Sequence, residues 1–158
     1  MNPAITLKEA QQKIEHFCAY QDRCHSEVIE KLRSFRLSQY EIDDILVKLI
    51  ADNFLNETRF ACNFARGKHR IKQWGKVRIV NELKLRQISQ YNITQALKEI
   101  DEDDYLDTFE NLAQKTWYTI TEKNSLKKRK KFCDSLLRKG YESDLVYEKV
   151  KTLENMDL

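Results

Sequence analysis

The residues of this sequence that best suit a binding role are lysines and arginines that occur in clusters. From Arg66 to Arg86 there are eight lysines and arginines and a single acid, Glu82. Arg59, Arg66 and Arg70 recur at helical spacing, so on one helix they share a face, and the element at residues 59–73 would be about 22 Å long. A row of guanidinium groups suits carboxylates or phosphates and indicates an anionic partner, while a solvated surface is the alternative for any single arginine.

Two basic segments supply the candidate partner-binding residues. The second is the run KKRKK, which begins at Lys127. Five consecutive bases point all around a helix, so this run predicts a solubilising or steering patch near a helix start. In the first segment, Arg78 lies four residues before Glu82, which offers it an intrahelical ion pair instead. The full set is Arg59, Arg66, Lys68, Arg70, Lys72, Lys76, Arg78, Lys127, Lys128, Arg129, Lys130 and Lys131.

Residues that could catalyse a reaction are few. The sequence has no glycine-rich phosphate loop, no G-x-S-x-G motif and no histidine-rich metal motif. His16, His25 and His69 have no carboxylate or nucleophile at a useful spacing and are predicted to be structural. A zinc site made from His16, Cys18, Cys24 and His25 is the alternative, but its spacings match no established ligand pattern. We predict a protein that is not an enzyme and that binds no cofactor or metal.

The basic residues must be positioned by helices, because the chain has one proline and three glycines. An apolar seam runs beside the arginines at helical spacing, from Phe60 through Gly67 to Trp74, and is predicted to face the core. The predicted structural core residues of this region are Phe60, Phe64, Ile71, Trp74, Leu83 and Ile88.

An internal repeat organises these helices. Residues 38–40 (SQY) recur at residues 89–91, and a third copy, 53 residues further on, keeps only the apolar pattern. Each copy predicts three helices, and the first begins at the capping box of Thr6 and Glu9. We therefore predict an all-α fold of three tandem three-helix units, at residues 1–55, 56–106 and 107–158, stacked in an elongated, curved array.

The remaining features concern where the protein acts. The first residues lack the basic start and apolar stretch of a secretory signal, and the sequence contains no membrane-spanning apolar run. The four cysteines are scattered without a C-x-x-C pair, which predicts reduced thiols. These features predict a cytoplasmic protein with no membrane contact. We expect it to be a monomer, although no feature of the sequence indicates its oligomeric state.

The segment from Asn56 to Leu83 resembles the central motif of the RecX family of regulatory proteins. The matching positions are Arg59, Phe60, Ala61, Arg66, Gly75, Arg78, Ile79, Glu82 and Leu83. The chain departs from the family at residues 56–58 (NET), where aspartates are common, and at residues 86–88 (RQI), where Lys-Gly-Ile is common. Residues 139–141 (KGY) are closer to that form.

The resemblance implies binding within the groove of a RecA–DNA filament, with inhibition of ATP hydrolysis, strand exchange, and hence recombination and the SOS response. Single- or double-stranded DNA would then be contacted through the filament. A helix-turn-helix-like DNA-binding protein and a general helical scaffold are the alternatives. Against the DNA-binding alternative, Glu41, Asp43 and Asp44 make the predicted groove-facing helix of the first unit acidic.

Overall fold

The computed structural model describes residues 5–157, which form nine α-helices and no strand. The helices are α1 (Leu7–Tyr20), α2 (His25–Ser34), α3 (Gln39–Ala51), α4 (Glu57–Lys72), α5 (Lys76–Leu85), α6 (Gln90–Leu97), α7 (Glu102–Thr119), α8 (Ser125–Lys139) and α9 (Ser143–Met156). They form unit 1 (α1–α3), unit 2 (α4–α6) and unit 3 (α7–α9). The predicted all-α repeat fold is confirmed, and the predicted limit between residues 106 and 107 falls inside α7.

Local side-chain caps explain where most of the helices begin. Thr6 and Ser38 accept hydrogen bonds from the backbone N–H groups three residues later, and the Ser38 N–H in turn donates to the Glu41 carboxylate. Ser89 repeats this cap in unit 2, 51 residues after Ser38. Asp101 caps α7, whose acidic first turn complements the positive end of the helix dipole.

The middle helix of each unit ends in the same left-handed conformation. Arg36 (φ 59°), Gln87 (φ 60°) and Gly140 (φ 100°) occupy equivalent positions after α2, α5 and α8. The following residues then turn back, and the N–H of Ile88 donates to the carbonyl of Leu83 over 3.1 Å. This conformation suits glycine, so Arg36 and Gln87 adopt it with a steric penalty that Gly140 avoids.

The core is divided unequally among the three units. Unit 1 has its own cluster of buried side chains, whereas those of units 2 and 3 form one continuous cluster around Leu83, Tyr105 and Tyr141. The accessible surface of 10315 Å² exceeds the roughly 8,300 Å² expected of a compact protein of 18.9 kDa. This excess agrees with the predicted elongated arrangement.

The structure places most of the residues predicted for the core around α4 and α5 at least partly inside the protein. Phe60, Leu83 and Ile88 are buried as predicted, and Phe64 and Trp74 pack half-buried against the core.

The prediction for Ile71 was wrong, because this side chain is 80% exposed. Along α4 the buried face turns from Phe60 towards His69, whose ring packs on Tyr105 of α7. The side of the helix that carries Ile71 is thereby left in solvent.

Candidate functional site

Two helices of unit 2 bring cations and aromatic rings together. The Lys68 Nζ lies 5.1 Å from the centroid of the Trp74 ring, and the Arg78 guanidinium carbon lies 4.1 Å from the same centroid. The Phe64 ring is 6.2 Å from Trp74, and the Arg86 guanidinium lies 4.7 Å from the Phe64 centroid. We call Phe64, Lys68, Trp74, Arg78 and Arg86 the cation–aromatic cluster. Stacking on the rings restricts these long cationic side chains.

The turn between α4 and α5 assembles this cluster. Gln73 adopts a left-handed conformation (φ 58°) and its N–H bonds to the His69 carbonyl, which ends α4. The chain reverses there, so that the Trp74 N–H donates to the Lys68 carbonyl over 3.2 Å. Trp74 therefore returns to pack beside Phe64, and α5 places the Arg78 guanidinium over the Trp74 ring.

Unit 3 extends the positive surface. The Arg78 Nη1 donates to the carbonyl of Arg138 over 3.2 Å, and the Lys139 Nζ donates to the carbonyl of Lys72 over 3.0 Å. Within residues 5–157, no carboxylate lies within 4 Å of the cationic groups of Lys68, Lys72, Arg78, Arg138 or Lys139. We call these five residues the basic face, since their charge is available to an anionic partner.

The predicted arginine row is divided by the fold. Arg66 and Arg70 line a cleft whose other wall carries Asp101, Asp104 and Asp107. In this cleft the Arg66 Nη2 bonds to Glu99 over 3.0 Å. The two arginines thus face acidic neighbours on the opposite side of α4 from Lys68 and Lys72.

Arg59 and Lys76 are also engaged within the protein. Arg59 donates to the carboxylate of Asp22 and to two backbone carbonyls at the end of unit 1. Lys76 forms an ion pair of 2.8 Å with Glu102. The proposed pair of Arg78 with Glu82 was wrong, because Glu82 pairs with Arg86 over 2.9 Å.

The KKRKK run lies at the start of α8, as predicted, and most of its charge is neutralised. Lys128, Arg129, Lys130 and Lys131 each have a carboxylate within 4 Å, on Asp157, Glu154, Asp134 and Glu122 respectively. The pair of Arg129 and Glu154 is bidentate, with 2.6 Å between Nε and Oε1, and this bond lowers the pKa of Glu154. Lys127 alone in this run has no such neighbour within residues 5–157.

His69, which the sequence predicts to be a structural histidine, is a buried polar residue near the cluster. His69 is 5% exposed, and its Nδ1 lies 3.0 Å from the Trp74 carbonyl. Its ring packs 5.3 Å from that of Tyr105, whose hydroxyl donates to Glu142 and accepts from the Lys76 N–H. Burial raises the pKa of Tyr105 well above its usual range. Tyr105 and Glu142 are distant from His69 in sequence, so local spacing gave no signal for these contacts.

Neither a metal site nor a membrane helix is found in the described part of the chain. Residues 5–157 bring no three His, Cys, Asp or Glu side chains together in a way that would hold a metal ion. Among the same residues, no helix combines the length and the apolar character needed to span a membrane.

Family models match two of the three units. Residues 56–97 match the second three-helix domain of RecX, and residues 102–150 match the third. The chain belongs to the RecX family. The first matched range coincides with α4–α6, and the second covers α7, α8 and the first half of α9, so each family domain corresponds to one unit.

Similarity to known proteins extends beyond these two domains. The regulatory protein RecX of Bacillus cytotoxicus is 28% identical over 130 residues, which are 82% of this chain and 48% of the relative. The RecX protein of Bacillus mycoides is 25% identical over the same shares. The chain thus spans about half the length of these curated relatives.

Solved structures support the same fold for nearly the whole chain. The crystal structure of RecX from Lactobacillus salivarius has a TM-score of 0.81 at 24% identity, with 94% of this chain and 96% of that chain covered. A second crystal structure of a regulatory protein RecX has the same TM-score at 22% identity, with 92% and 71% covered. Unit 1 is therefore part of the shared fold, although neither matched domain model includes it.

Proposed function

We propose that this chain is a regulatory protein that binds the RecA–DNA filament and inhibits its ATP hydrolysis and strand exchange. It would thereby restrain recombination and the SOS response. Membership of the RecX family supports the regulatory role, because the curated relatives are named as regulatory proteins. We infer that it acts in the cytoplasm as a monomer, without catalysing a reaction of its own or using a cofactor.

The basic face is the observation that carries this proposal. Lys68, Lys72 and Arg78 have cationic groups without carboxylates nearby, and two of them stack on Trp74. A side chain that is already restricted loses less entropy on binding than a free one. Such a surface suits acidic side chains of filament subunits or DNA phosphates that are accessible in the filament groove.

Inhibition would follow if units 2 and 3, acting as one rigid body, bound across two neighbouring subunits of the filament. Units 2 and 3 share a continuous core, so the basic face moves as one piece. A rigid body bound across two subunits of the filament favours one relative arrangement of them. Hydrolysis and strand exchange that require other arrangements would then slow. The KKRKK run, most of whose bases already have carboxylate neighbours, would add long-range attraction that salt screens.

The test is a DNA-dependent ATPase assay with recombinase, single-stranded DNA and ATP. We expect the wild-type chain to lower the ATPase rate. A triple variant of the basic face, Lys68→Ala with Lys72→Ala and Arg138→Ala, is expected to need at least about tenfold more protein for the same effect. Arg78 is left intact because it also bonds to unit 3.

The matched control removes three charges elsewhere. Lys127→Ala with Lys130→Ala and Lys131→Ala changes the net charge equally, and these side chains are all exposed. We expect this control to shift the ATPase curve by less than about threefold, because it acts only through long-range attraction. No effect of the wild-type chain at several-fold excess would refute the proposal, and equal losses in both variants would refute the role of the basic face.

One observation favours a different class of function. The first turn of α6 carries no acidic residue, unlike α3, which has Glu41 there. In a helix-turn-helix-like protein, α6 would meet less repulsion from DNA phosphates than α3. Tight, sequence-dependent binding to naked duplex DNA at physiological salt would support this alternative. A general scaffold would bind neither DNA nor the filament.

A further inference from the structure

Backbone–backbone bonds join units 2 and 3 directly, in addition to their shared core and to the side-chain bonds of Lys76, Arg78 and Lys139. The Gly75 N–H, at the start of α5, donates to the Lys139 carbonyl over 2.8 Å, and the Val77 N–H donates to the Gly140 carbonyl over 2.9 Å. A Cβ on Gly75 would lie 2.3 Å from the carbonyl carbon of Gly140. The N-terminal amides of α5 are thus satisfied by the C-terminal carbonyls of α8, with favourable alignment of the two helix dipoles.

The interface between units 1 and 2 uses the equivalent positions without these bonds. Cys24 precedes α2 as Gly75 precedes α5, 51 residues later, and Arg86 corresponds to Lys139, 53 residues later. The single bond here is weak, from the Ser26 hydroxyl to the Arg86 carbonyl over 3.4 Å. No backbone–backbone bond joins units 1 and 2 within residues 5–157. Cys24 thus has a buried side chain at the position where the other interface has glycine.

Side-chain polar contacts join units 1 and 2, and Arg59 makes more of them than any other residue. A longer contact of 3.9 Å, between His25 and Glu57, also crosses this interface. The guanidinium of this α4 residue donates to the Asp22 carboxylate over 3.2 Å, and to the carbonyls of Asn53 (3.1 Å) and Phe54 (3.3 Å). Asn63 donates to the other oxygen of Asp22 over 2.6 Å. One arginine therefore ties the α1–α2 loop and the end of α3 to unit 2, and its side chain is 35% exposed to solvent.

Apolar contact at this interface is small. The buried side chains of unit 1 pack among themselves, and Cys24, with none of its surface exposed, is the residue of unit 1 that joins the core of units 2 and 3. Charge-assisted bonds of partly exposed groups weaken as salt rises, whereas backbone bonds at a buried interface do not. The two interfaces should therefore respond differently to ionic strength.

We propose that Arg59 is the positioning residue of unit 1: it fixes this unit against unit 2 through an ionic interface that opens independently, while units 2 and 3 stay joined. The consequence would be an array with one adjustable interface and one fixed interface. Its bearing on filament binding rests on the proposed function. The opening of the interface does not depend on the proposed function, because it can be measured in the isolated chain.

Native cysteines report on the opening of this interface. The test measures alkylation of each thiol in the full-length chain by mass spectrometry, at low salt and at about 1 M KCl. Cys24 is buried at the 1–2 interface, and burial raises the pKa of its thiol, so it should react slowly while the interface is closed. Cys133, buried in unit 3, reports on general unfolding, and the half-buried Cys62 serves as a reactive reference.

The variants separate the role of Arg59 from general loss of charge. Arg59→Ala should raise the Cys24 alkylation rate about tenfold at low salt and remove most of its salt dependence. Arg66→Ala is the matched control, since its ion pair with Glu99 is of similar length and exposure but does not involve unit 1. Arg66 and Glu99 also act on the Cys62 thiol, so this control is evaluated from the rates of Cys24 and Cys133. Asp22→Asn should produce a smaller rise than Arg59→Ala, because the two carbonyl bonds of Arg59 remain.

The wild-type salt series keeps the test decisive even if one variant folds poorly. The proposal requires Cys24 to accelerate with salt while Cys133 stays protected. A Cys24 rate that is unchanged by salt and by Arg59→Ala would overturn it. Cys24 and Cys133 accelerating together would also overturn it, because the units would then open only by unfolding. The assay contains no recombinase, so a negative result here is distinct from failure of the proposed function.

Discussion

A single backbone position, repeated three times, shows how individual residues shape this fold. Arg36, Gln87 and Gly140 all end a middle helix with positive φ, and only the third is glycine. The family motif places glycine at the position of Gln87, and the left-handed conformation explains that preference physically. Arg36 and Gln87 are consequently sites of avoidable strain.

Replacing Gln87 with glycine should stabilise the protein. We expect Gln87→Gly to raise the free energy of unfolding by about 0.5–1 kcal/mol, because the left-handed penalty of the Cβ is removed. Urea denaturation followed by circular dichroism measures this change. As a control, Lys84→Gly in α5 should lower stability by a similar amount, since that residue has right-handed helical geometry. Destabilisation by Gln87→Gly would contradict the strain argument.

Buried tyrosines should make stability fall in alkali. Burial raises the pKa of Tyr141 to about 12, against about 10 for a free phenol. The phenol is therefore protonated in both states below pH 10, and between about pH 10 and 12 it ionises first in the unfolded chain. The contribution of Tyr141 to the free energy of unfolding is thus fully present below pH 10 and is lost as the pH rises towards 12.

The comparison with Tyr141→Phe isolates this effect from the buried thiols, whose ionisation also lowers stability at high pH. At neutral pH the wild type should be about 1 kcal/mol more stable, because its hydroxyl donates to the Gln73 carbonyl over 2.8 Å. That advantage should shrink by about 1 kcal/mol near pH 11 in urea denaturation. If the difference in the free energy of unfolding between the wild type and Tyr141→Phe did not change with pH, this prediction would be wrong.

Helix ends, more than helix faces, determine how the units meet. The capping residues Thr6, Ser38 and Ser89 could be predicted because caps act over three residues of sequence. The pairing of Gly75 with Gly140 could not, because it depends on a meeting of chain segments 65 residues apart. The cation–aromatic cluster was missed for a related reason: Gln73 adopts a left-handed turn that its residue type does not signal.

Substituting Gly75 tests the close approach of α5 and α8. Gly75→Ala should destabilise the protein by about 2 kcal/mol or more, because the new Cβ would lie 2.3 Å from backbone atoms of Gly140. Gly67→Ala is the matched control: a Cβ there meets no atom within 4 Å, and Gly67 lies inside α4. We expect that control to stabilise the protein by about 0.5–1 kcal/mol. Equal effects of the two changes in urea denaturation would contradict the proposed contact.

At the scale of the whole molecule, the array consists of a fixed pair of units and a first unit attached through Arg59. The basic face belongs entirely to the fixed pair, with Lys68, Lys72 and Arg78 from unit 2 and Arg138 and Lys139 from unit 3. Arg59 was predicted from the sequence to contact a partner, and its three internal bonds suggest an indirect effect instead. The two roles predict different dose–response curves.

If Arg59 acts by positioning unit 1, Arg59→Ala should raise the concentration needed for half-maximal inhibition of the recombinase ATPase about fivefold. The maximal inhibition should be unchanged, because a unit that moves freely must be ordered on binding while the basic face stays intact. High salt should weaken the wild type more than the variant, since the variant interface is already open. If Arg59 instead contacts the filament directly, inhibition would be lost even though Cys24 remained protected from alkylation. An unchanged half-maximal concentration would show that the orientation of unit 1 does not contribute to binding.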